Sequence, residues 1–175
     1  MGCPTNRSAR FNLCPRSGAT FILVCTLAAL ETMIERIDPP KPGTSPFSGA
    51  VVAGPLVFVS GQVGTDPKTG TAPSGLKAQT QNALANVRGV LSKAGCSLKD
   101  VVKATVFLAD IRGFDEMNEV YRAAFAPDFP ARSTIGAHLA RPEFLVEIEV
   151  IAFRPHGPKG LSREGSAATA TRRTS

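Results

Sequence analysis

The sequence predicts an α+β domain, a mixed β-sheet with two helices packed on one of its faces. Three observations predict it. Five short β-type runs between Gly49 and Phe153 are punctuated by Gly and Pro. Two longer stretches between them repeat apolar residues at helical spacing, with one stripe each, so each helix can cover only one side of a sheet. The last run sets Val146, Ile148, Val150 and Ala152 on one side, and Leu145, Glu147, Glu149, Ile151 and Phe153 on the other. The first side belongs against helices. The second mixes large apolar groups with two carboxylates, which reads as a subunit interface with a polar site in it.

At 175 residues, 43% of them hydrophobic and 19% charged, the chain holds enough apolar material for one ordinary core. Of its net +6, five charges lie in residues 1–32 and 156–175, and residues 33–155 carry 13 Lys+Arg against 12 Asp+Glu. Such a near-neutral segment, without aromatic-basic motifs, argues against nucleic acid as a partner. Residues 1–32 read as an N-terminal extension, 33–155 as the folded domain, and 156–175, rich in Gly, Ser, Ala, Thr and Arg, as a disordered basic tail. In the extension Arg7, Arg10 and Arg16 precede a twelve-residue apolar run, Ala19 to Leu30. A membrane span takes roughly 20 residues, so no membrane partner is expected. Three readings of the run stay open: a reading frame extended upstream of Met33, a secretory or targeting signal with Ala28 and Ala29 at its cleavage site, or a buried helix.

Within the domain, Met33 to Phe47 is extended or looped, because Pro39, Pro40, Pro42 and Pro46 fix φ and disfavour helix before them. Gly49–Ala53 and Leu56–Ser60 form a hairpin about Gly54-Pro55, and Gly61-Gln62 ends its second strand. Gly64 to Gly75 is a loop of turn formers, of a length often functional or mobile. Ser74 stands where it can cap a helix from Leu76 to Ala94, whose stripe is Leu76, Ala83, Leu84, Val87, Leu91 and Ala94 and whose stop is Gly95. Val101–Leu108 is a strand with Val102, Ala104, Val106 and Leu108 on its apolar face. A second helix, Phe114 to Phe125, carries the stripe Phe114, Met117, Val120, Tyr121, Ala124 and Phe125, and Pro127 and Pro130 end it. Arg132–Leu139 and Leu145–Phe153 then form two strands around a 140–144 turn, a pairing that sets Glu147 opposite Ala137. The order is β-β-α-β-α-β-β.

Few residues can carry chemistry. Arg132 opens its strand beside a loop, with Thr134 on the same face, and a guanidinium there can clamp a carboxylate through two parallel hydrogen bonds. Glu147 stands among apolar neighbours, so it is either paired or has a raised pKa suited to proton transfer. The competing reading of both is an interface ion pair. Glu149 shares the face of Glu147 and is the more structural of the two acids. Ser133 has no G-x-S-x-G context, and His138 lies on the other strand face from it. Of Cys3, Cys14, Cys25 and Cys96, none has CxxC or metal-type spacing, and Cys96 reads as a small, partly buried thiol. Neither metal nor organic cofactor is expected. Spacing alone gives an α+β domain with a carboxylate site at an interface.

Four motifs carry a resemblance: VFVSGQVGTDPKTG (Val57 to Gly70), AQTQNALANV (Ala78 to Val87), DVVKATVFLADIRGFDEMNEVY (Asp100 to Tyr121) and FPARSTIGAHL with LVEIEVIA (Phe129 to Ala152). Through them the segment from Ser45 to Pro155 resembles the RidA family, also called YjgF/YER057c/UK114. The resemblance implies a chorismate-mutase-like fold, a homotrimer with sites in the clefts between subunits, and a cytoplasmic location. It also implies hydrolysis of reactive 2-enamino and 2-imino acids, such as 2-iminopropanoate and 2-iminobutanoate, to 2-oxo acids and ammonia. By the same resemblance Arg132 would clamp the substrate carboxylate and the Gly61 N–H would assist there. Glu147 and the Thr134 carbonyl would position the water, and Asn118 would be structural. Many members read G-P-Y-S-Q where this chain has Ser45-Pro46-Phe47-Ser48-Gly49. Phe47 therefore lacks the phenol, although its ring can still pack over a substrate. Two other functions compete: a non-catalytic trimer that binds small carboxylates, and an RNA-cleaving translation inhibitor, which the charge distribution disfavours.

Overall fold

The computed structural model describes residues 34–154, Thr44 apart; the N-terminal extension and the C-terminal tail lie outside the described residues. Eight elements follow in order: β1 (Ile34–Ile37), β2 (Ala50–Ala53), β3 (Leu56–Val63), α1 (Leu76–Lys93), β4 (Val101–Leu108), α2 (Phe114–Phe125), β5 (Ala131–Gly136) and β6 (Val146–Phe153). Short 3-10 turns, Leu98–Asp100 and Ile111–Gly113, precede β4 and α2. The strands form one sheet in the order β1-β2-β3-β6-β4-β5. Only β4 and β5 run parallel. That is the pair joined through a helix, as a parallel pair requires. The predicted class, a mixed sheet with two helices, is the one found.

Both helices lie on one face. Leu84, Val87 and Leu91 of α1 and Met117 and Tyr121 of α2 form one buried cluster with Val57, Val59, Ala104, Val106, Val146, Ile148 and Val150 of the sheet. Ile148, Val106, Leu108, Leu91 and Met117 lose essentially all their exposure. Burial on that scale contributes roughly 1.5–3 kcal/mol per large side chain and fixes the register of the central strands. The opposite face carries Phe58, Phe107, Ile135, Glu147, Glu149, Ile151 and Phe153, and no described element covers it.

Several local expectations are corrected. β5 and β6 do not pair with each other; β4 lies between them, hydrogen-bonded to both. The residues after β5 cross the end of β4, with Ala137 N–H donating to the Leu108 carbonyl (2.9 Å) and Ala109 N–H to that of Leu145 (3.0 Å). Glu147 therefore falls opposite Phe107 and Val63, not Ala137, and β5 stops at Gly136 rather than Leu139. A register shift between Val101 and Lys103 turns Val102 outward, 49% exposed, and buries Val101. The strand that was to end at Gly61 runs to Val63 through a shift between Val59 and Gln62. Ile34–Ile37 forms an edge strand before the prolines. Helix α1 has Gly75, with φ 94°, at its N-cap and no side-chain cap, so Ser74 does not serve. Its C-terminus closes as expected on Gly95, with Cys96 N–H donating to the Leu91 carbonyl (2.8 Å) and Gly95 N–H to that of Ser92 (3.0 Å).

Candidate functional site

Two half-sites can be built from this fold. The first forms at the sheet's edge. Arg132 lies on β5 in register with Ala104, on the helix-bearing face. Phe114 and Tyr121 stand two turns apart on α2 and so share a side of it. The Arg132 guanidinium sits over both rings, 4.5 Å from the Tyr121 centroid and 5.5 Å from that of Phe114. Stacking of this kind holds the guanidinium plane without consuming its N–H groups. Among the described residues Arg132 has no carboxylate within ion-pairing distance. The Tyr121 phenol is pushed up to about 12, mainly by burial, with the Arg132 charge opposing the shift. Its hydroxyl and the Thr134 Oγ1 are buried without hydrogen-bond partners among the described residues. In front of Arg132 an open cleft of about 430 Å³ is lined by Asn118, Tyr121, Arg122, Phe129, Pro130 and Arg132 itself.

The second half-site lies on the uncovered face. Glu147 projects from β6 and its side chain lies over Gly61, where a Cβ would overlap the carboxylate. Burial pushes the Glu147 carboxyl above its ordinary value, and the like charge of Glu149 adds to the shift. No cation or donor pairs with Glu147 among the described residues. Ser60 Oγ donates to the Ser48 carbonyl at 2.7 Å, which ties the Phe47-Ser48 segment beside Gly61. Phe47 itself is 57% exposed.

Helix α1 holds this region in place with side-chain amides. Asn86 Nδ2 donates to the carbonyls of Val63 (3.1 Å) and Thr65 (2.9 Å), and Asn82 Nδ2 to that of Gly64 (3.3 Å). Gln79, fully buried, donates to Pro73 (2.9 Å) and Glu143 (2.8 Å) and accepts from Leu145 N–H (2.8 Å). The loop between β3 and α1 is folded on itself by Asp66, which accepts from the N–H groups of Lys68 and Thr69. It serves here as an anchored turn.

Of the residues singled out in the sequence, the structure brings Glu147, Gly61 and the Phe47 segment to one side, and Arg132 and Thr134 to the other. Within one chain Arg132 and Glu147 lie on opposite faces of the sheet, so no ion pair forms between them there, and the competing interface ion pair would need a second copy. Ser133 Oγ accepts from Lys103 Nζ at 2.7 Å, and Cys96 is buried with its thiol pushed up, chiefly by burial. Among the described residues no group of three His, Cys, Asp or Glu could hold a metal, and no helix is long and apolar enough to cross a membrane. Sequence reasoning treated Phe114 and Tyr121 as core, treated Asn118 as structural, and passed over Arg122 and Phe129. Their signal was the spacing of 114, 118, 121 and 122 on one helical face, followed by Phe129-Pro130 just before Arg132.

Known proteins resemble this chain in sequence and fold. A family model described as Endoribonuclease L-PSP matches residues 38–154. The chain belongs to this family, also named YjgF/YER057c/UK114 or RidA. A RutC family protein of Pyrococcus horikoshii is 43% identical over 126 residues, 71% of this chain and 99% of that protein. The 2-iminobutanoate/2-iminopropanoate deaminase of Homo sapiens is 38% identical over 129 residues, 71% of this chain and 94% of that one. Among solved structures, TdcF of E. coli with bound serine matches at a TM-score of 0.62 and 34% identity, over 70% of this chain and 98% of that one.

Proposed function

We propose that the chain hydrolyses reactive 2-enamino and 2-imino acids, 2-iminobutanoate and 2-iminopropanoate among them, to 2-oxo acids and ammonia. One observation carries the proposal: an arginine and a glutamate, both without ion-pair partners among the described residues, are held on opposite faces of the sheet. Each therefore needs a ligand or a second copy to complete it. The uncovered apolar face around Glu147 supports a homotrimer in which Arg132 of one copy and Glu147 of the next share a cleft. Relatives named as deaminases support the chemistry.

In this reading Arg132 fixes the substrate carboxylate, the Gly61 N–H assists, and the Phe47 ring packs over the substrate. Glu147 and the Thr134 carbonyl orient a water onto C2. The water oxygen bonds to C2 as the C=N π electrons move to nitrogen, and Glu147 takes the water's proton. That proton then passes to the amine, and as the C–N bond breaks and ammonia leaves, the C=O forms with the hydroxyl proton returning to Glu147. Nothing is oxidised or reduced. An iminium carbon is already electrophilic, so positioning and a base of modestly raised proton affinity suffice, without metal or cofactor. The reaction belongs in the cytoplasm, where dehydratases using pyridoxal phosphate release such imines.

The test generates 2-iminobutanoate in situ with a dehydratase and follows its loss. Wild type accelerates the loss, and Arg132→Ala lowers kcat/KM by roughly 10²–10³-fold through lost positioning. Equal decay with and without wild-type protein would overturn the proposal. A second reading, a non-catalytic trimer binding small carboxylates, is favoured by Phe47 standing in place of a tyrosine. It predicts binding of 2-oxobutanoate with no effect on imine decay.

A further inference from the structure

We propose that the Arg132 cleft selects 2-imino acids carrying a second carboxylate, with Arg122 as the anchor for the distal one. The inference rests on the carboxylate-clamp reading of Arg132 and names the substrate class. Asn118, Tyr121 and Arg122 sit at i, i+3 and i+4 on α2, so one side of the helix presents all three to the cleft that Arg132 lines. Arg122 would ordinarily be neutralised by Glu119, one turn earlier. That carboxylate is taken by Lys77 of α1, with Glu119 Oε2 2.6 Å from Lys77 Nζ. Lys77 is the main cause that holds the Glu119 carboxyl below its usual range, and Arg122 contributes least. Among the described residues Arg122 therefore makes no ion pair, and neither does Arg132.

None of the six residues lining the cleft is acidic. Two guanidinium groups thus share about 430 Å³ with no counter-charge among its lining residues. A monocarboxylate answers one of them and leaves the other; a dicarboxylate answers both, and Asn118 adds an amide on the Arg122 side. Arg122 is exposed where Arg132 is half-buried and ring-stacked. The proximal carboxylate, next to the reacting carbon, therefore belongs to the more rigid Arg132, and the distal one to Arg122.

Calorimetry with the intact protein tests this on stable product-like acids of equal carbon count, 2-oxopentanoate and 2-oxoglutarate. The dicarboxylate should bind about tenfold more tightly, the scale of one added charge-assisted contact at an exposed site. In Arg122→Gln that ratio should fall to near one, and Arg122→Lys should keep part of it. A ratio near one in wild type, or one that survives Arg122→Gln, overturns the inference while leaving the deaminase reading intact. Failure of both acids to bind, with no acceleration of 2-iminobutanoate decay, overturns the two together. Inorganic phosphate serves as a third ligand. If it competes with 2-oxopentanoate as well as 2-oxoglutarate does, the cleft recognises any dianion and the substrate class falls.

Discussion

Arg132 and Glu147 are both charges without ion-pair partners among the described residues, yet the sheet treats them in opposite ways. Arg132 stands on an edge strand, stacked on two rings and facing an open cleft. Its surroundings fix its direction and offer no carboxylate partner among the described residues, as suits a clamp. Glu147 stands on an interior strand, between β3 and β4, pressed over Gly61 on a face with no helix. Its surroundings alter its affinity for a proton, as suits a base. In the proposed reading a single chain supplies two separate half-sites, each completed by a ligand or a second copy.

The strongest way to break that comparison is to split the two charges between chains. Arg132→Ala and Glu147→Gln should each be nearly inactive on 2-iminobutanoate. Co-expressed and purified as mixed assemblies, they should regain activity. If each cleft takes Arg132 from one copy and Glu147 from its neighbour, about one quarter of clefts in a random ring of the two variants carry both residues. Recovery to about that fraction of the wild-type rate supports the shared cleft. No recovery above the sum of the parents would mean that the two residues never meet in one site.

A smaller effect sharpens the Glu147 half. Gly61 and Gly64 both lack room for a Cβ, for different reasons. At Gly61 the obstacle is the carboxylate end of Glu147, a flexible group; at Gly64 it is the Cα and Cβ of Gln79 in α1. Neither glycine has a positive φ, so alanine is not excluded by the backbone. Gly61→Ala should keep the fold, within about 1 kcal/mol, and lower kcat by roughly tenfold to a hundredfold as the carboxylate is pushed aside. Gly64→Ala should instead destabilise by about 1–3 kcal/mol, because a packed helix must move. Parallel thermal melts and rate measurements on the two variants decide. Equal loss of stability in both would mean that Gly61 is only a packing glycine.

The sequence made the core legible because burial leaves a period. The stripe of α1, that of α2 from Met117 onward and the apolar side of β6 were read correctly, since each is set by local spacing and one hydrophobic face; Phe114, at the head of the α2 stripe, is exposed instead. The pairing of β5 was not legible. Two strands nine residues apart resemble a hairpin, and nothing in residues 137–145 reveals that β4 lies between them. Gln79, more than sixty residues upstream, and the end of β4 hold that connection in place. Val102 was misread for a similar reason, because one extra residue in the ladder reverses which side chain faces inward. Of the candidate site, Arg132 and Glu147 were legible as residue types in unusual places. Their placement on opposite faces already followed from the expected register, in which Glu147 shared the face of Ala137 and not that of Arg132; what the sequence hid was the strand between them. Both rings beneath Arg132 were read as core: Tyr121 is buried there, and Phe114 is not.

The smallest expected effect concerns the proton on Glu147. Its folded carboxyl is held above the ordinary value near 4.5, by burial first and Glu149 second. The folded state then binds more protons than the unfolded state between the two values, so stability falls as pH rises through that window. Below it, both states are protonated and the cost disappears. Glu147→Gln removes the charge in a shape that still fits, so it should raise the melting temperature at neutral pH. The gain should shrink toward zero as pH falls through the raised value and past 4.5. The sign also reports on the other half of the site. If Arg132 of a neighbouring copy paired with Glu147 in the resting assembly, its attraction would oppose the burial and Glu147→Gln would destabilise at neutral pH. A stabilised Glu147→Gln assembly would mean that Glu147 waits without a cation partner, leaving Arg132 free for the substrate carboxylate.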